Sequence, residues 1–299
     1  MRPRRIAILA QRGLGPSGTL RFPYARLMTA RLVREALEED AADNDITSIA
    51  TIPTERRSRC RVVARQRGVM AGIALARESF RQRDSKSSVR ATVKDGQLVE
   101  AGADVMFVTA SPRGLLSAER VALNFLQRLS GIATITRQFV DAVAGTNARI
   151  LDTRKTTPGW RILEKYAVRA GGGMNHRMDL GAAVLIKDNH LAALDGDVAM
   201  AVQRARELAP GKPVEIECDR IEQVRRAVDA GAEIIMLDNM TPAKLREAVA
   251  FVDGRAVTEA SGGVRLETVR AIAETGVDWI SVGALTHSAK ALDLALDFE

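Results

Sequence analysis

At 299 residues, 46% hydrophobic and 27% charged with a net charge of +7, the chain has an ordinary globular composition, with room for two modest domains or one barrel with an appendage. No apolar run approaches the ~18 residues of a membrane span. Cys60 and Cys218 are the only cysteines, which excludes a disulfide framework and a zinc ribbon and points to a reducing compartment.

The charge is unevenly placed. Arg2, Arg4, Arg5, Arg12, Arg21 and Arg26 lie in an opening segment without a single acid, so the remainder is nearly neutral. A basic stripe suited to nucleic acid is therefore not expected on the folded body. Residues 1–25 read as a basic, disordered extension; their Arg-rich, acid-free character is also that of a transit peptide. The apolar stretch Ile6 to Ala10 is too short for a secretory core.

Leu27, Ala30, Leu32, Val33 and Leu37 predict an amphipathic helix over Arg26–Glu39. Asp40 to Thr51, with Asp43, Asn44, Asp45 and Thr47, predicts turns. Short runs at Cys60–Ala64, Val89–Val93 and Asp104–Val108, punctuated by Gly68, Gly72, Gly96 and Gly102, predict a small, mainly antiparallel sheet. Cys60 sits among Arg57, Arg59 and Arg61, which can lower a thiol pKa; an inward-facing strand residue is the reading preferred. Ser117 is expected to open a long helix through Val140.

From there the pattern is regular. Strand-like runs end at Asp152, Lys187, Glu217, Asp238, Glu259 and Gly283, separated by helix-like sequence. Such alternation predicts a parallel sheet of βα units. Polar residues at the strand ends favour a barrel, whose chemistry gathers at the strand C-termini, over an open doubly wound sheet.

Two glycine-rich turns, Ser261-Gly262-Gly263 and Gly283-Ala284, follow the last two strands. Either alone reads as a tight turn. Together they read as a phosphate site, where bare backbone N–H groups and a helix N-terminus receive an anion. Glu217 and Asp238 end adjacent strands, so their carboxylates share one mouth, a placement suited to Mg²⁺ or ribose hydroxyls. Between Asp152 and His190 lie Arg154, Lys155, Arg161, Arg169, His176, Arg177 and Lys187. Clustered guanidinium groups hold planar dianions through paired hydrogen bonds, which suggests two carboxylates or several phosphates. His176, His190 and His287 match no zinc spacing, and no Ser-His-Asp arrangement stands out.

These residues carry a resemblance. DTRKTTPGWR (Asp152 to Arg161), GGGMNHRMDL (Gly171 to Leu180), LIKDNH (Leu185 to His190) and ERVALNFLQRLSGIAT (Glu119 to Thr134) resemble quinolinate phosphoribosyltransferases. VEIECD (Val214 to Asp219), MLDNM (Met236 to Met240), EASGGV (Glu259 to Val264) and VGALTHS (Val282 to Ser288) continue the likeness, which covers roughly residues 26 to 299.

The resemblance implies an α/β fold: an incomplete α/β barrel over 131–287 and a smaller α/β sandwich domain over 26–130 and 288–299. It implies that quinolinate and phosphoribosyl diphosphate give nicotinate mononucleotide, CO₂ and diphosphate with Mg²⁺. The setting implied is a cytoplasmic homodimer, or a higher even-numbered assembly, with shared active sites and no nucleic-acid or membrane partner. Arg154, His176, Arg177 and Lys187 are similar to the family's quinolinate-binding group, and Lys155 and Lys187 to its donor-phosphate contacts. Thr153 and His287 resemble further substrate-binding positions. Glu217 and Asp238 resemble the ribose and Mg²⁺ site, directly or through water, and with Lys155 and Lys187 form the implied catalytic set. Ser261, Gly262, Gly263, Val282, Gly283 and Ala284 resemble the 5′-phosphate cradle, and Arg120 the arginine that reaches the partner's site.

Ala182, Asn44 and Trp160 depart from the usual pattern, outside the charged set. The alternatives are a pyrophosphorylase-like protein of molybdenum-transport operons, a nicotinate-specific transferase, or a non-catalytic polyanion-binding protein. Arg120, Arg154, His176, Arg177 and Lys187 together argue for a dicarboxylate, and the near-neutral body argues against a polyanion.

Overall fold

The computed structural model describes residues 20–53 and 56–299. Most of the expected basic extension, residues 1–19, lies outside the described residues. The chain forms two compact units. One holds the described residues up to Arg137 with Ile162–Gly172 and Ser288–Glu299; the other holds Gln138–Arg161 and Gly173–His287.

In the first unit, Arg26–Glu39 is helical, and it buries Thr29, Val33 and Leu37, one stripe at a spacing of four. Leu27, expected near that face, is 84% exposed. The following stretch is not all turn: Ile46–Thr51 is a short helix. Asp45 caps it, its Oδ1 accepting from the Ser48 amide at 3.0 Å. Caps and turns use the same residue types, which is why the sequence did not separate them.

Strands β1 (Ser58–Ala64) and β2 (Gly68–Val69) precede the helix Ile73–Arg83, and β3 (Ser88–Ala91), β4 (Leu98–Val99) and β5 (Asp104–Ala110) follow it. The C-terminal strand Leu294–Phe298, β1, β5 and β3 form an antiparallel sheet in that order, while β2 and β4 pair separately. Alternation turns Cys60, Val62, Ala64, Met106 and Val108 into one core, together with Ala118, Ala122 and Leu126 of the long helix. Cys60 is fully buried. Burial pushes its thiol up to about 12, so the neighbouring arginines do not activate it.

The long helix spans Pro112–Ala142 and so begins before Ser117. Ser111 Oγ accepts from the Gly114 amide at 3.2 Å, and Pro112 suits a first turn that needs no amide donor there. Ser117 lies inside the helix and accepts from Arg83 Nε at 3.0 Å. Helix Arg161–Ala170 also belongs largely to this unit: its Tyr166 hydroxyl donates to Asp95 Oδ2 at 2.5 Å.

The second unit carries β6 (Arg149–Leu151), β7 (Val184–Ile186), β8 (Val214–Cys218), β9 (Ile234–Asp238), β10 (Val257–Ser261) and β11 (Trp279–Ser281). They form one parallel sheet in the order β6-β11-β10-β9-β8-β7. First and last strands are neighbours while first and second are not, so this is an α/β barrel left open between β6 and β7. Gly173 to His176 runs along the free edge of β6, with Met174 N donating to Ile150 O at 2.8 Å and Asp152 N to Met174 O at 3.1 Å.

The two-residue period of the strands sets the interior. Leu151, Ile234, Val257 and Trp279 pack with Met174 as an apolar floor. Two residues further along the same strand faces stand Met236, Glu259 and Ser281, and beyond them Asp238 and Ser261. On β8 that face carries Glu215 and then Glu217.

Candidate active site

The barrel topology gathers most of the predicted residues at one end. Thr153, Arg154 and Lys155 follow β6; Lys187 follows β7. Glu217 is the penultimate residue of β8, while Asp238 and Ser261 close β9 and β10. Val282, Gly283 and Ala284 lead from β11 into the short helix Ala284–His287. Arg120 is not among them: it is exposed on the long helix of the other unit, inside that helix rather than at its start.

The turns on either side of β11 and β6 are tied together. Val282 N donates to Leu151 O at 2.9 Å, and Thr286 Oγ1 donates to Lys155 O at 2.7 Å. Thr153 Oγ1 accepts from the Lys155 amide at 3.0 Å. A Cβ at Gly283 would stand 3.1 Å from both His287 Nε2 and Lys155 Cδ, so the missing side chain lets the lysine and histidine approach the loop. At Gly262 the demand is stronger. Its φ is +89°, and a Cβ there would collide with the Asn239 side chain and lie 2.9 Å from Asn239 N.

Lys187 Nζ and Glu217 Oε2 form an ion pair at 2.7 Å. Asn239, itself left-handed at φ 53°, donates through Nδ2 to Asp238 Oδ2 at 2.6 Å and fixes that carboxylate. Two carboxylates at neighbouring strand ends form an oxygen-only donor set of the kind Mg²⁺ takes while keeping several waters. The donor chemistry of Glu217 and Asp238 therefore fits that ion. His190, by contrast, serves the backbone: its Nδ1 accepts from the Lys187 amide at 2.9 Å.

Arg154 stands near enough to Arg177 for its like charge to be felt there. Burial, and then Arg154, holds the Arg177 guanidinium below its ordinary pKa. Arg177 Nη1 donates to Ala183 O at 3.0 Å. Arg154 Nε is buried and has no hydrogen-bond partner. Two neighbouring guanidinium groups, one with an unmet buried donor, make a place for a dianion.

Below them lies a polar layer around His176, whose acidic partners no motif marked. Asp152, fully buried, accepts from His176 N at 2.9 Å and from Asn175 Nδ2 at 2.6 Å. His176 Nε2 faces Glu215 Oε2 at 3.1 Å and Glu259 Oε2 at 3.5 Å, and both acids are essentially inaccessible. The three donor atoms lie within 4.8 Å of one another, near enough to share an ion. Nδ1 of the same ring accepts from the Arg177 amide at 2.7 Å, which requires a lone pair there and leaves the proton on Nε2. Burial opposes charge on His176, but the fields of Glu259 and Glu215 outweigh it and push its pKa up to about 10, a pull that the Arg177 amide resists. Burial, reinforced by Glu259, raises the pKa of Glu215. The alternation Glu215-Ile216-Glu217 was the available signal, since a period of two sends both acids inward.

Comparison with known proteins agrees with this architecture. The quinolinate phosphoribosyl transferase C-terminal domain matches residues 132–297 and the corresponding N-terminal domain residues 45–130. A Mycobacterium leprae protein named nicotinate-nucleotide pyrophosphorylase (carboxylating) is 45% identical over 271 residues, 89% of this chain and 95% of its own. A Nicotiana tabacum protein named quinolinate phosphoribosyltransferase (decarboxylating) 2b, mitochondrial, is 43% identical over 288 residues, 90% of this chain and 81% of its own. The solved nicotinate-nucleotide pyrophosphorylase of Francisella tularensis superposes with a TM-score of 0.87 at 39% identity, covering 92% of this chain and 98% of its own.

Proposed function

The chain belongs to the quinolinate phosphoribosyltransferase family, and from that premise we propose that it is a pentosyltransferase joining quinolinate to phosphoribosyl diphosphate. The products are nicotinate mononucleotide, CO₂ and diphosphate. The observation that carries the reading is the Arg154–Arg177 pair at the mouth of the barrel, with its unmet buried donor. Neither the related pyrophosphorylase-like proteins nor a polyanion-binding role is favoured by any feature of the site.

The chemistry follows from charge. The quinolinate ring nitrogen attacks ribose C1 as the C1–diphosphate bond breaks, through a cationic, oxocarbenium-like transition state. Carboxylates of Glu217 and Asp238 favour that cation, which is electrostatic preorganisation rather than covalent help. Lys155 and Lys187 meet the departing phosphates, while the Ser261–Gly263 and Val282–Ala284 loops receive the 5′-phosphate. Thr153 and His287 flank that cradle as further contacts. Mg²⁺, held by Glu217 and Asp238 directly or through water, would neutralise diphosphate charge. Once the ring nitrogen is quaternary, the 2-carboxylate leaves as CO₂, its bonding electrons stay on C2 beside the cationic nitrogen, and a proton replaces it. The arginines have only to orient the two carboxylates.

The finer setting belongs to the same proposal. Among the described residues no helix is long and apolar enough to cross a membrane, and both cysteines are buried and free. Free thiols suit a reducing compartment such as the cytoplasm, the setting we propose, with quinolinate and phosphoribosyl diphosphate as the partners. Arg120, exposed on its helix, supports a homodimer or larger even-numbered assembly in which it enters a neighbour's site.

Substrate choice tests the reading. Nicotinate lacks the 2-carboxylate and would leave guanidinium donors unpaired, which costs ~2–5 kcal/mol, or about 30- to 5,000-fold in kcat/KM. Comparable efficiency with nicotinate would overturn the quinolinate assignment.

A further inference from the structure

We infer that Glu215 and Glu259 are positioning residues of the dicarboxylate pocket, acting through His176 to hold Arg177. The inference rests on reading Arg177 as a quinolinate ligand. The stretch from Met174 to Arg177 is not a strand of the sheet; its ladder contact is the single bridge between Met174 and Leu151. Arg177 is delivered from the end of that stretch, so something else must set its direction.

What sets it comes from three strands and the turn after a fourth. Asp152, after β6, accepts the His176 amide. Glu215 on β8 and Glu259 on β10 converge on one ring nitrogen, His176 Nε2. Ser281 on β11 donates from Oγ to Glu259 Oε1 at 2.5 Å, which turns Oε2 toward the ring. The ring nitrogen's hydrogen bond runs to Glu215 Oε1 at 3.4 Å, and both Oε2 atoms are buried against the same nitrogen without a hydrogen-bond partner of their own. Such placement is costly unless the ring's N–H lies between them. Two carboxylates on Nε2 hold the proton there, and that keeps Nδ1 open for the Arg177 amide at 2.7 Å. The tautomer of one buried ring thus links the barrel wall to the backbone of the arginine.

The substitution Glu259→Gln isolates this link. With Ser281 still donating to the side-chain oxygen, the new amide NH₂ would face the Nε2 proton, donor against donor. The ring proton should then move to Nδ1 and break the Arg177 amide bond. We expect the KM for quinolinate to rise roughly 10- to 100-fold, the scale of a charge-assisted hydrogen bond, with the KM for phosphoribosyl diphosphate within about twofold of wild type. In ¹⁵N NMR spectra the His176 ring should change from the Nε2–H to the Nδ1–H form. Glu215→Gln should shift the quinolinate KM in the same direction. If Glu259→Gln does not fold, Ser281→Ala, which releases one bond to Glu259, should give a smaller change confined to quinolinate.

Both KM values rising together, no change in either, or an unaltered ring tautomer would overturn the inference. So would uptake of one Zn²⁺ per chain that Glu259→Gln abolishes, since the trio would then be a metal site. Wild-type protein inactive toward quinolinate would instead sink the proposed function, and the tautomer measurement would still decide the role of the two glutamates.

Discussion

Lys187 Nζ lies 2.7 Å from Glu217 Oε2, joining the ends of the neighbouring strands β7 and β8. The pair is open to solvent on the lysine side, at 46% exposure against 15% for the glutamate. It therefore contributes little to stability, and in the proposed reaction its role is the charge it brings to the departing phosphates. Lys187→Ala should leave the melting temperature within a few degrees while lowering kcat/KM by roughly 10²- to 10³-fold. Activity within a few-fold of wild type would remove Lys187 from the catalytic set.

The two glycine turns should respond differently to the same substitution. Gly262→Ala forces a Cβ into Asn239 at a backbone φ of +89°, so it should lower both stability, by roughly 1–3 kcal/mol, and donor binding. Gly283→Ala meets only the flexible ends of His287 and Lys155. It should raise the KM for phosphoribosyl diphosphate with little change in melting temperature. Equal thermal effects in the two variants would contradict this division between a strained turn and a crowded cradle.

Sharing of sites between subunits can be read from mixed dimers. Arg120→Ala should damage the neighbour's site and Lys187→Ala its own, leaving each homodimer nearly inactive. Random reassociation of equal amounts makes about half the dimers mixed, each with one intact site, so activity should return to roughly a quarter of wild type. No recovery, with mixed dimers confirmed by mass, would show that Arg120 serves its own chain or only the fold.

A pH effect is expected away from the site. Burial raises the pKa of Asp95 despite hydrogen bonds from Tyr166 and the Ile73 amide. An acid whose folded pKa is raised stabilises fully below its unfolded pKa, and that contribution is lost as pH rises through the folded value. The melting temperature of wild type relative to Asp95→Asn should therefore fall as pH rises from about 4 toward neutrality. A difference that grows with pH would show that the hydrogen bonds outweigh burial.

Much of the fold was legible because it is periodic. Apolar runs ending at Asp152, Lys187, Glu217, Asp238, Glu259 and Gly283 correspond to the six barrel strands and the turns that follow them. The long helix was misplaced at its start because Ser117 looks like a cap, whereas Ser111-Pro112 is the pair that works. Glu215 and Glu259 were not singled out for the site because an acid within a strand looks, in sequence, like a solvated one, and Asp152, just after β6, looks like an ordinary strand end. Only closure of the barrel shows that Glu215 and Glu259 face one imidazole.

The central claim is decided by carbon dioxide. Purified protein should be given Mg²⁺, phosphoribosyl diphosphate and quinolinate labelled in the 2-carboxylate, and CO₂ and diphosphate counted together. We expect one CO₂ for each diphosphate, with neither released when the phosphoribosyl donor is omitted. Diphosphate without CO₂, or CO₂ released without the donor, would contradict transfer coupled to decarboxylation at this site.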